Sequence, residues 1–396
     1  MFYNNERMDA YQKLDLLSRQ AAIEEDEHAS PVFCPIAGNS TQSDKNLSRI
    51  PEVSKVHRSG GGQFNLLKTV LTSACERNCN YCAFRAGRDF RRATLKPDEM
   101  ALLFYQMHIA GVAEGLFLSS GIAGSSLRTQ DRLIDTAEIL RKKFGYQGYL
   151  HLKIMPGAEV AQVERAMLLA NRVSINLEAP NPMRLEKLAP RKDFSNELLP
   201  PLTWASQIRR KQIQGNPYSR FRTSLATQIV VGPAGENDLE ILNTTAYLFH
   251  RLGLTRVYLS GFSPVAGTPL ENHPAENPLR EFRLYQASFL LRDYGYNMED
   301  FGYMSNGYLP LDVDPKLAWA KTHLAEKPLE INTASRADLL RVPGIGPKAI
   351  SAILSTRRRI KFKEIGELRA LGIIVDRVTP FILLNGKRPN FQLRFW

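Results

Sequence analysis

The feature that most constrains the fold is an alternation of short apolar runs with longer segments of helical periodicity, between residues 64 and about 262. Six runs have the length and the branched or aromatic content of buried β-strands. They are NLLKTVLT (65–72), EGLFLSS (114–120), QGYLHLKI (147–154), RVSINLE (172–178), SLATQIVVG (224–232) and TRVYLSGF (255–262). Because helical segments separate these runs, the pattern predicts parallel β/α units with right-handed crossovers. An open partial barrel is the expected closure, and a flat doubly wound sheet is the alternative that periodicity alone leaves open.

The helical segments and the linkers divide the rest of the chain. Helices between the strands are predicted at 97–111, 127–144, 157–170, 196–213 and 236–252. Two further helices are predicted at 6–27 and 277–295, and residues 35–63 are predicted to form a loop because they are rich in Ser, Asn and Gly. The predicted domains are an N-terminal helix and linker (1–63), the barrel (64–295), an irregular connection (296–328) and a C-terminal domain (329–396).

The positive charge of the chain is concentrated near its end. The formal net charge is +12, and residues 321–396 contain 15 Lys and Arg against six Asp and Glu, which is +9 of that total. A basic block of this kind indicates a polyanionic partner, most simply nucleic acid. The alternative is a solvated basic face without a partner.

The sequence carries no sign of a membrane segment. No run approaches the roughly 18 apolar residues that cross a bilayer. The N-terminal segment MFYNNERMDAYQKL is too polar for a signal peptide. We therefore expect a soluble, cytoplasmic protein without membrane contact.

Three of the four cysteines are bunched in the stretch CERNCNYC, where Cys75, Cys79 and Cys82 have the spacing C-x3-C-x2-C. Bunched thiols in a reducing compartment indicate metal or redox chemistry rather than a disulfide framework. A structural zinc site normally has four protein ligands, and the candidates for a fourth, His57, His108 and Cys34, are poorly spaced for it. Three cysteines on one loop suit a 4Fe–4S cluster whose fourth iron is open to a small molecule, although such clusters usually have four thiolates.

At these residues the sequence resembles the radical S-adenosylmethionine superfamily: the C-x3-C-x2-C motif directly follows the first strand, and Tyr81 precedes the last cysteine. The resemblance implies a partial (β/α)6 barrel, which agrees with the six predicted strands. It implies a 4Fe–4S cluster on Cys75, Cys79 and Cys82, with S-adenosylmethionine on the open iron. Reductive cleavage would then release a 5′-deoxyadenosyl radical, with an electron donor such as flavodoxin or ferredoxin as a partner.

The same resemblance suggests further residues for S-adenosylmethionine, all near predicted strand ends. Tyr81 belongs to the motif, and the family's glycine-rich turn after the second strand corresponds to Ser119, Ser120 and Gly121, where serines replace glycines. The remaining candidates are Glu178, Gly232, Glu236 and Pro264. Active sites of β/α barrels lie at the carboxyl ends of the strands, but an ordinary strand-end turn is the alternative for each residue.

Basic residues also follow the fourth predicted strand. They are Arg184, Lys187, Arg191 and Lys192. These side chains can neutralise a phosphate backbone or the carboxylate of the cofactor, and a solvated helix face is the alternative for each one singly.

The C-terminal domain opens with LEINTASRADLLRVPGIGPKAISAIL (329–354). Asn332 or Thr333 is predicted to cap a first helix, and VPGIGP to form a hairpin before a second helix. Gly344 and Gly346 allow the backbone to approach a partner closely. The amides that open the second helix suit a phosphate.

This segment resembles the helix-hairpin-helix motif, which in its family grips DNA phosphates without reading bases. The resemblance implies nucleic-acid contacts at Gly344, Gly346 and Lys348, and the run RRRIKFK (357–363), with Arg357 and Arg358, adds charge. Residues 362–382 are predicted to be a second, degenerate copy with Leu371-Gly372-Ile373 as its hairpin. A pair of helices that docks a protein is the alternative.

Taken together, from about residue 8 onward, the chain resembles a family of radical S-adenosylmethionine proteins described as DNA modification or repair proteins. The implied function is an enzyme that modifies or repairs a nucleic acid, most simply DNA. Alternatives are an RNA-modifying enzyme and a non-enzymatic iron–sulfur protein that binds DNA or senses damage. An iron–sulfur DNA glycosylase is disfavoured, because its cysteines follow the hairpin. No catalytic residue is assigned; Cys34 is a candidate hydrogen donor or extra ligand, and a small buried hydrophobe is the favoured alternative.

Overall fold

A computed structural model of the chain describes residues 8–21, 53–57, 61–215 and 223–390. The chain forms two compact units: Met1–Glu236 with Tyr247–Glu276, and Asn237–Ala246 with Asn277–Trp396. The predicted domain boundaries are not tested by this division and stay predictions. Over the described ranges, no helix combines the length and the apolar character that a bilayer crossing requires.

The first unit is built on one seven-stranded sheet whose spatial order follows the chain. The strands are β1 (Val53–His57), β2 (Gln63–Val70), β3 (Gly115–Ser119), β4 (Tyr149–Lys153), β5 (Arg172–Ser174), β6 (Ser224–Val231) and β7 (Arg256–Gly261). All neighbours from β2 to β7 are parallel. The six predicted strands are therefore confirmed, and each carries the buried apolar residues that the sequence pattern required.

The strand order distinguishes the two closures that periodicity left open. A doubly wound sheet reverses its order at a switch point, whereas this sheet runs from β2 to β7 without a reversal. One cavity is lined both by the loop after β2 and by the loop after β7, including Phe84 and Phe262. The first and last parallel strands can share a cavity only if the sheet curls, so the predicted partial barrel is confirmed.

β1 corrects the prediction of a loop over residues 35–63. It pairs antiparallel with β2, with Val56 opposite Phe64 and His57 opposite Gln63. Val56 is buried against Leu66 and Phe117. An edge strand of five residues gains its stability from the ladder and from this packing, which a local composition rich in polar residues does not reveal.

A helix is confirmed in each of the five predicted segments between the strands. In chain order the helices are α1 (Ala10–Ala21), within the segment predicted at 6–27, then α2 (Pro97–Ile109), α3 (Ser126–Glu138), α4 (Val160–Leu169), the additional α5 (Pro182–Leu188), α6 (Leu199–Gly215) and α7 (Asp238–His250). α3 continues as a π-helix at Ile139–Lys143, and a second π-helix, Phe194–Leu198, leads into α6. α5 was not predicted, since its seven residues lie in the basic stretch after β5. π-helical turns are often found at functional sites.

The second unit is mainly helical. It contains α8 (Pro278–Asp293), α9 (Pro315–His323), β8 (Leu329–Glu330), α10 (Arg336–Arg341), α11 (Pro347–Thr356), α12 (Ile365–Ala370), α13 (Val375–Val378) and β9 (Ile382–Leu383). β8 and β9 form a parallel pair, a small departure from the all-α domain that was predicted. α10 and α11 flank the first predicted hairpin, and the short helices α12 and α13 flank the second. That the second pair is a copy of the same motif stays a prediction.

The segment predicted as an irregular connection, 296–328, contributes to the core of the second unit. Ala320 of α9 and Leu324, which follows the helix, are buried in one cluster with Ile350, Phe362 and Val378. The guanidinium of Arg341 lies over the rings of Tyr296 and Trp319, at 4.6 Å from each centroid. The short apolar stretch LAWA around Trp319 therefore packs with the hairpin helices and is not a free linker.

The cap of α10 corrects the predicted cap at Asn332 or Thr333. The Ser335 hydroxyl accepts a hydrogen bond from the Asp338 amide at 3.1 Å, and the Asp338 carboxylate accepts one from the Ser335 amide. This capping box begins at Ser335, one residue before the helix, and closes at Asp338 in its first turn. Asn332 instead bonds both backbone groups of Phe362, at 3.0 Å and 2.8 Å, and so joins the two hairpin copies.

We predict that Asp238→Asn destabilises the second unit strongly. The Asp238 side chain is fully buried, pairs with Arg280 at 2.8 Å and accepts the Leu309 amide. Asn leaves the Arg280 charge buried without its counter-ion, which we expect to cost about 3–5 kcal/mol of unfolding free energy. Urea unfolding of the full chain measures it. The matched control is Asp293→Asn, whose partly exposed pair with Arg292 is expected to be worth less than about 1 kcal/mol; equal losses would contradict the prediction.

Candidate functional site

The three bunched cysteines lie on the loop that follows β2, at the carboxyl edge of the sheet. All three are free thiols and line the same cavity; Cys79 is buried, and Cys75 and Cys82 are half-buried. The loop is anchored on both sides, since the Glu76 amide donates to the Ile122 carbonyl and the Asn80 amide to the Leu188 carbonyl. The predicted thiol ligands are thus brought together at one wall.

Backbone amides and burial define the environment of the sulfurs. The Ile122 amide donates to Cys75 Sγ at 3.5 Å, and the Phe84 amide to Cys82 Sγ at 3.4 Å. Burial raises the pKa of the Cys79 thiol, against the lowering effect of the nearby Lys192 charge. Amide donors and a neighbouring cation favour a negatively charged sulfur ligand.

A fourth protein ligand is not apparent among the residues that can be placed. Within the described ranges, no three His, Cys, Asp or Glu side chains converge on a single metal ion, the three cysteines included. A 4Fe–4S cluster does not require such convergence, because each thiolate binds a different iron. His108 Nδ1 lies 3.1 Å from the Ala113 carbonyl, and its ring stacks on Phe104. Cys34 and the side chain of His57 lie outside the described residues, so their predicted roles remain predictions.

Five of the residues predicted to contact S-adenosylmethionine line the same cavity as the cysteines. They are Tyr81, Ser119, Ser120, Gly121 and Glu178. The turn at Gly121 packs directly on the cysteine loop, because a Cβ there would lie 2.3 Å from the Ala74 carbonyl oxygen. A glycine is therefore required at this turn by close backbone packing. Its contact with a cofactor stays a prediction.

The other three candidates are not part of the cavity wall. Gly232 adopts φ +113°, and its amide donates to the carboxylate of Glu236, which is fully buried. These two residues close the turn after β6, and Pro264 lies beside Ser263 on the next loop without lining the cavity. Gly232 and Glu236 thus form a turn at a strand end, which was the alternative to cofactor binding. Cofactor binding at the three positions stays a prediction.

Glu178 is the centre of a polar group on the cavity wall, together with Tyr81 and Lys192. Its Oε1 lies 2.7 Å from Lys192 Nζ, and both side chains are largely buried, with exposures of 5% and 10%. Burial alone raises the pKa of the Glu178 carboxyl, but the Lys192 ammonium and the Tyr81 hydroxyl hold it below its usual value. Burial and the charge of Glu178 raise the pKa of Tyr81. The pair is therefore ionised, and Tyr81 stays protonated beside it.

Glu178 also has a strained backbone. Its φ is +64°, a left-handed conformation that a residue with a Cβ rarely adopts. The conformation is held by two ladder bonds to β6, from the Glu178 amide to Gln228 and from the Val230 amide to Glu178. Strain of this kind is retained where the surrounding structure overdetermines it, and it concentrates at functional sites.

The cavity contains polar side chains that sequence reasoning did not single out. Asn176, just after β5, donates to Oε1 of Gln228 in β6 at 3.0 Å. Gln228 in turn donates to the hydroxyl of Ser260 in β7 at 2.9 Å. Lys153, at the end of β4, lines the cavity and is 6% exposed. The signal for these residues is a polar side chain at an inward position of a strand, which is visible only once the register is known.

The basic residues after β5 act mainly as ties between loops. Arg184 donates to the Ala234 carbonyl at 3.0 Å, Arg191 to the Glu76 carbonyl at 3.3 Å, and Lys192 pairs with Glu178. Lys187 is exposed, with its Nζ 3.4 Å from the Ala234 carbonyl. Each of the four cations therefore has a local partner within the barrel, although Lys187 and Arg191 are also exposed to solvent.

In the second unit, the first hairpin packs on the second copy. Gly344 adopts φ +83°, and a Cβ there would lie 3.0 Å from the Val378 side chain. A Cβ on Gly346 would lie 3.3 Å from the Tyr294 hydroxyl. These glycines therefore allow a close approach within the unit itself. Their contact with nucleic acid stays a prediction.

The predicted cationic contacts differ in exposure. Lys348, in the first turn of α11, and Arg358 are exposed. Arg357 is half-buried, and its Nη1 donates to the carbonyls of Ile331 and Ala334 at 3.1 Å and 2.7 Å. Lys348 and Arg358 can therefore meet a phosphate directly, whereas Arg357 fixes the end of α11 on the segment before α10.

A half-buried lysine contacts the first hairpin. Lys316 Nζ donates to the Ile345 carbonyl at 2.6 Å and lies 4.6 Å from the centroid of the Tyr294 ring. Burial lowers the pKa of Lys316 to about 7. The Asp314 carboxylate acts to raise this pKa, and the Arg377 charge acts to lower it. The residue that holds the hairpin carbonyl is therefore a cation whose charge changes near neutral pH.

A comparison with protein families bears on the second unit. Residues 328–356 match the family model of the helix-hairpin-helix motif, so the motif predicted at the start of the C-terminal domain is confirmed. No curated protein sequence matches the chain.

Several solved structures are similar to part of the chain. Methylornithine synthase (PylB) has 17% identity and a TM-score of 0.45, over 57% of this chain and 61% of that protein. The FeFe-hydrogenase maturase HydG from Carboxydothermus hydrogenoformans has 16% identity and a TM-score of 0.44, over 57% and 51%. The radical S-adenosylmethionine methyltransferase TsrM from Kitasatospora setae has 12% identity and a TM-score of 0.38, over 55% and 39%. The chain thus spans less than two thirds of each of these proteins.

We predict that Glu178→Gln and Lys192→Met each destabilise the metal-free barrel by about 3–5 kcal/mol, because either change leaves one buried charge unpaired. The double variant is expected to lose clearly less than the sum, since the second change removes the orphaned charge. Thermal unfolding of the full chain measures all three. Glu186→Gln, the same chemical change at an exposed neighbour, is the control. Additive losses would show that the two side chains are not coupled.

We predict a pH-dependent stability that originates at Lys316. Because its pKa falls from 10.5 unfolded to about 7 folded, the unfolded chain binds the extra proton between these values. Stability relative to Lys316→Met is therefore expected to rise with pH from about 7 toward 10, by at most about 1.4 kcal/mol per pH unit. Urea unfolding at several pH values measures it. The control is Lys321→Met, because Lys321 is exposed on the same helix; the difference in unfolding free energy between wild type and this variant should not change with pH. If the difference between wild type and Lys316→Met were equally independent of pH, the assignment to Lys316 would be refuted.

Proposed function

We propose that the chain is a radical S-adenosylmethionine enzyme that modifies or repairs a nucleic acid, with DNA as the favoured substrate. The observation that carries the proposal is the single cavity at the carboxyl edge of the barrel. It combines three free thiols with the buried Tyr81, Glu178 and Lys192 group. The proposal has two parts, a cluster site in the barrel and a phosphate-binding surface in the second unit.

The donor set of the cavity fits a 4Fe–4S cluster held by Cys75, Cys79 and Cys82. None of the thiols is consumed in a disulfide, two accept backbone amide hydrogen bonds, and a buried cation lies beside the third. Three thiolates leave one iron for a small molecule, for which S-adenosylmethionine is the proposed ligand. When bound and reduced, this pair of cofactors supplies a carbon radical that abstracts a hydrogen atom.

The protein's own residues would place the cofactor and keep water out. Ser119 and Ser120 present hydroxyl groups at the turn after β3, and the Asn176, Gln228 and Ser260 chain presents amide and hydroxyl groups on the opposite wall. Glu178 and Lys192 are held rigidly by each other and by the strained backbone. Fixed polar groups in a largely apolar cavity orient a ligand at little entropic cost. The cofactor would supply the chemistry and the protein the orientation.

The nucleic-acid part of the proposal rests on the helix-hairpin-helix motif and its charge. Lys348 and Arg358 are exposed, and α11 begins at the hairpin with amides available to an anion at its N-terminus. Contacts of this type are independent of sequence and weaken with salt. A target base in duplex DNA would have to leave the stack, or be single-stranded, to meet a radical in a barrel cavity.

The test is reductive cleavage of S-adenosylmethionine by anaerobically reconstituted protein. We expect 5′-deoxyadenosine to form, to rise when DNA is added and to disappear in Cys79→Ala. Lys348→Ala with Arg358→Ala should reduce the stimulation by DNA and lower the salt slope of DNA binding by about 2, since two phosphate contacts are lost. The cleavage measured without DNA is expected to be unchanged in that variant.

The contrary outcomes separate the alternatives. Stimulation by RNA but not by DNA would identify an RNA-modifying enzyme. An intact, reducible cluster without any cleavage would refute the enzyme and favour a non-enzymatic iron–sulfur protein that binds DNA. Failure to take up iron and sulfide at all would refute the cluster site itself.

A further inference from the structure

The loop that carries the cysteines is long and has almost no regular structure. Between β2 and α2 the chain makes only the bridge of Thr72 to Thr94. Backbone carbonyls in such a loop need partners, and without them the loop is mobile. Three thiols can meet one cluster only if their positions are defined, so something other than secondary structure must order this segment.

Besides the amides of Glu76 and Asn80, which anchor the middle of the loop, one side chain joins its two ends, Arg92. Its Nη1 donates to the carbonyls of Ser73 at 2.7 Å and Phe84 at 3.0 Å, and its Nη2 to those of Arg85 at 2.8 Å and Arg88 at 3.2 Å. Ser73 lies two residues before Cys75, and Phe84 lies two residues after Cys82. One guanidinium therefore ties together the two ends of the segment that contains all three thiols.

The surroundings of Arg92 favour this geometry over a solvated position. The ring of Phe90 lies against the guanidinium, with a centroid distance of 4.1 Å. The neighbouring backbone is paired, because the Ser73 amide donates to the Ala93 carbonyl and the Ala93 amide to the Ser73 hydroxyl. The positive charge also interacts electrostatically with the sulfurs of Cys75 and Cys82.

Only an arginine can make this set of contacts. A guanidinium is planar and offers five N–H donors in a fixed fork, so it can serve carbonyls on two sides at once. A lysine ammonium offers a point charge with three donors and reaches fewer of the four carbonyls. Methionine at this position would remove all four guanidinium bonds, and of these carbonyls that of Arg85 would keep the Arg88 amide as a donor, at 3.5 Å.

We propose that Arg92 is the positioning residue of the cysteine loop: it arranges the three thiols before any metal arrives and retains the cluster afterwards. The second half of this statement rests on the proposed function, whereas the first half concerns the metal-free chain alone. The inference assigns no step of the reaction to Arg92, because it contacts the loop and not the reacting atoms.

The first experiment follows hydrogen exchange of peptides covering residues 73–92 in the metal-free full chain. We expect amides of this loop, such as those of Glu76, Asn80 and Ala86, to exchange about tenfold faster or more in Arg92→Met. Arg92→Lys should be intermediate, and peptides from β4 and β6 should not change. The matched control is Arg91→Met, because Arg91 is the adjacent arginine and is exposed. Equal exchange of the loop in wild type and Arg92→Met would overturn the proposal.

The second experiment measures loss of the reconstituted cluster to an iron chelator under anaerobic conditions. Arg92→Lys is expected to lose iron about tenfold faster than wild type and Arg91→Met at the wild-type rate. Unchanged iron loss from Arg92→Lys, with loop exchange raised, would overturn the cluster-retaining half of the proposal. If the wild-type chain itself took up no cluster, the proposed function would fail while the exchange experiment still decided the role of Arg92.

Discussion

The carboxyl ends of six parallel strands meet at one edge of the first unit, and the candidate site depends on that constraint. Parallel pairing forces every crossover through a helix, so all strand-end loops open on the same side. The curl of the sheet then brings the loop after β2 and the loop after β7 to one cavity. Residues separated by nearly 190 positions in the chain, from Cys75 to Phe262, share a wall for this reason.

Two ion pairs fix the geometry around that cavity. The buried pair of Lys192 and Glu178 lies on its wall, at 2.7 Å. The partly exposed pair of Arg77 and Glu197, at 2.8 Å, links the wall to the π-helical turn before α6. Buried ion pairs of this kind do little for stability compared with apolar packing, but breaking one is costly. Because breaking it is costly, such a pair holds its two side chains at a fixed separation. The strained φ of Glu178 is tolerated because the ladder to β6 and the pair with Lys192 hold it from two sides.

The cations of this chain have two distinct uses. Arg92, Arg184 and Arg357 donate to backbone carbonyls and order loops or helix ends, whereas Lys348 and Arg358 face the solvent. The high positive charge near the C-terminus is therefore not a direct count of phosphate contacts. Only exposure and hydrogen bonding, read residue by residue, separate the structural arginines from those that can meet a polyanion.

The sequence by itself determined the elements with strong local signals: six strands and their helices, the cysteine spacing and the helix-hairpin-helix motif. Periodicity and turn chemistry act over a few residues, so they can be interpreted without a fold. Only the tertiary structure decided that β1 pairs with β2, that Ser335 caps α10 and that Gly344 packs on α13. It also decided that Lys153 and Asn176 line the cavity and that Arg92 bonds the cysteine loop. These outcomes depend on register and on contacts between distant segments, which no local pattern encodes.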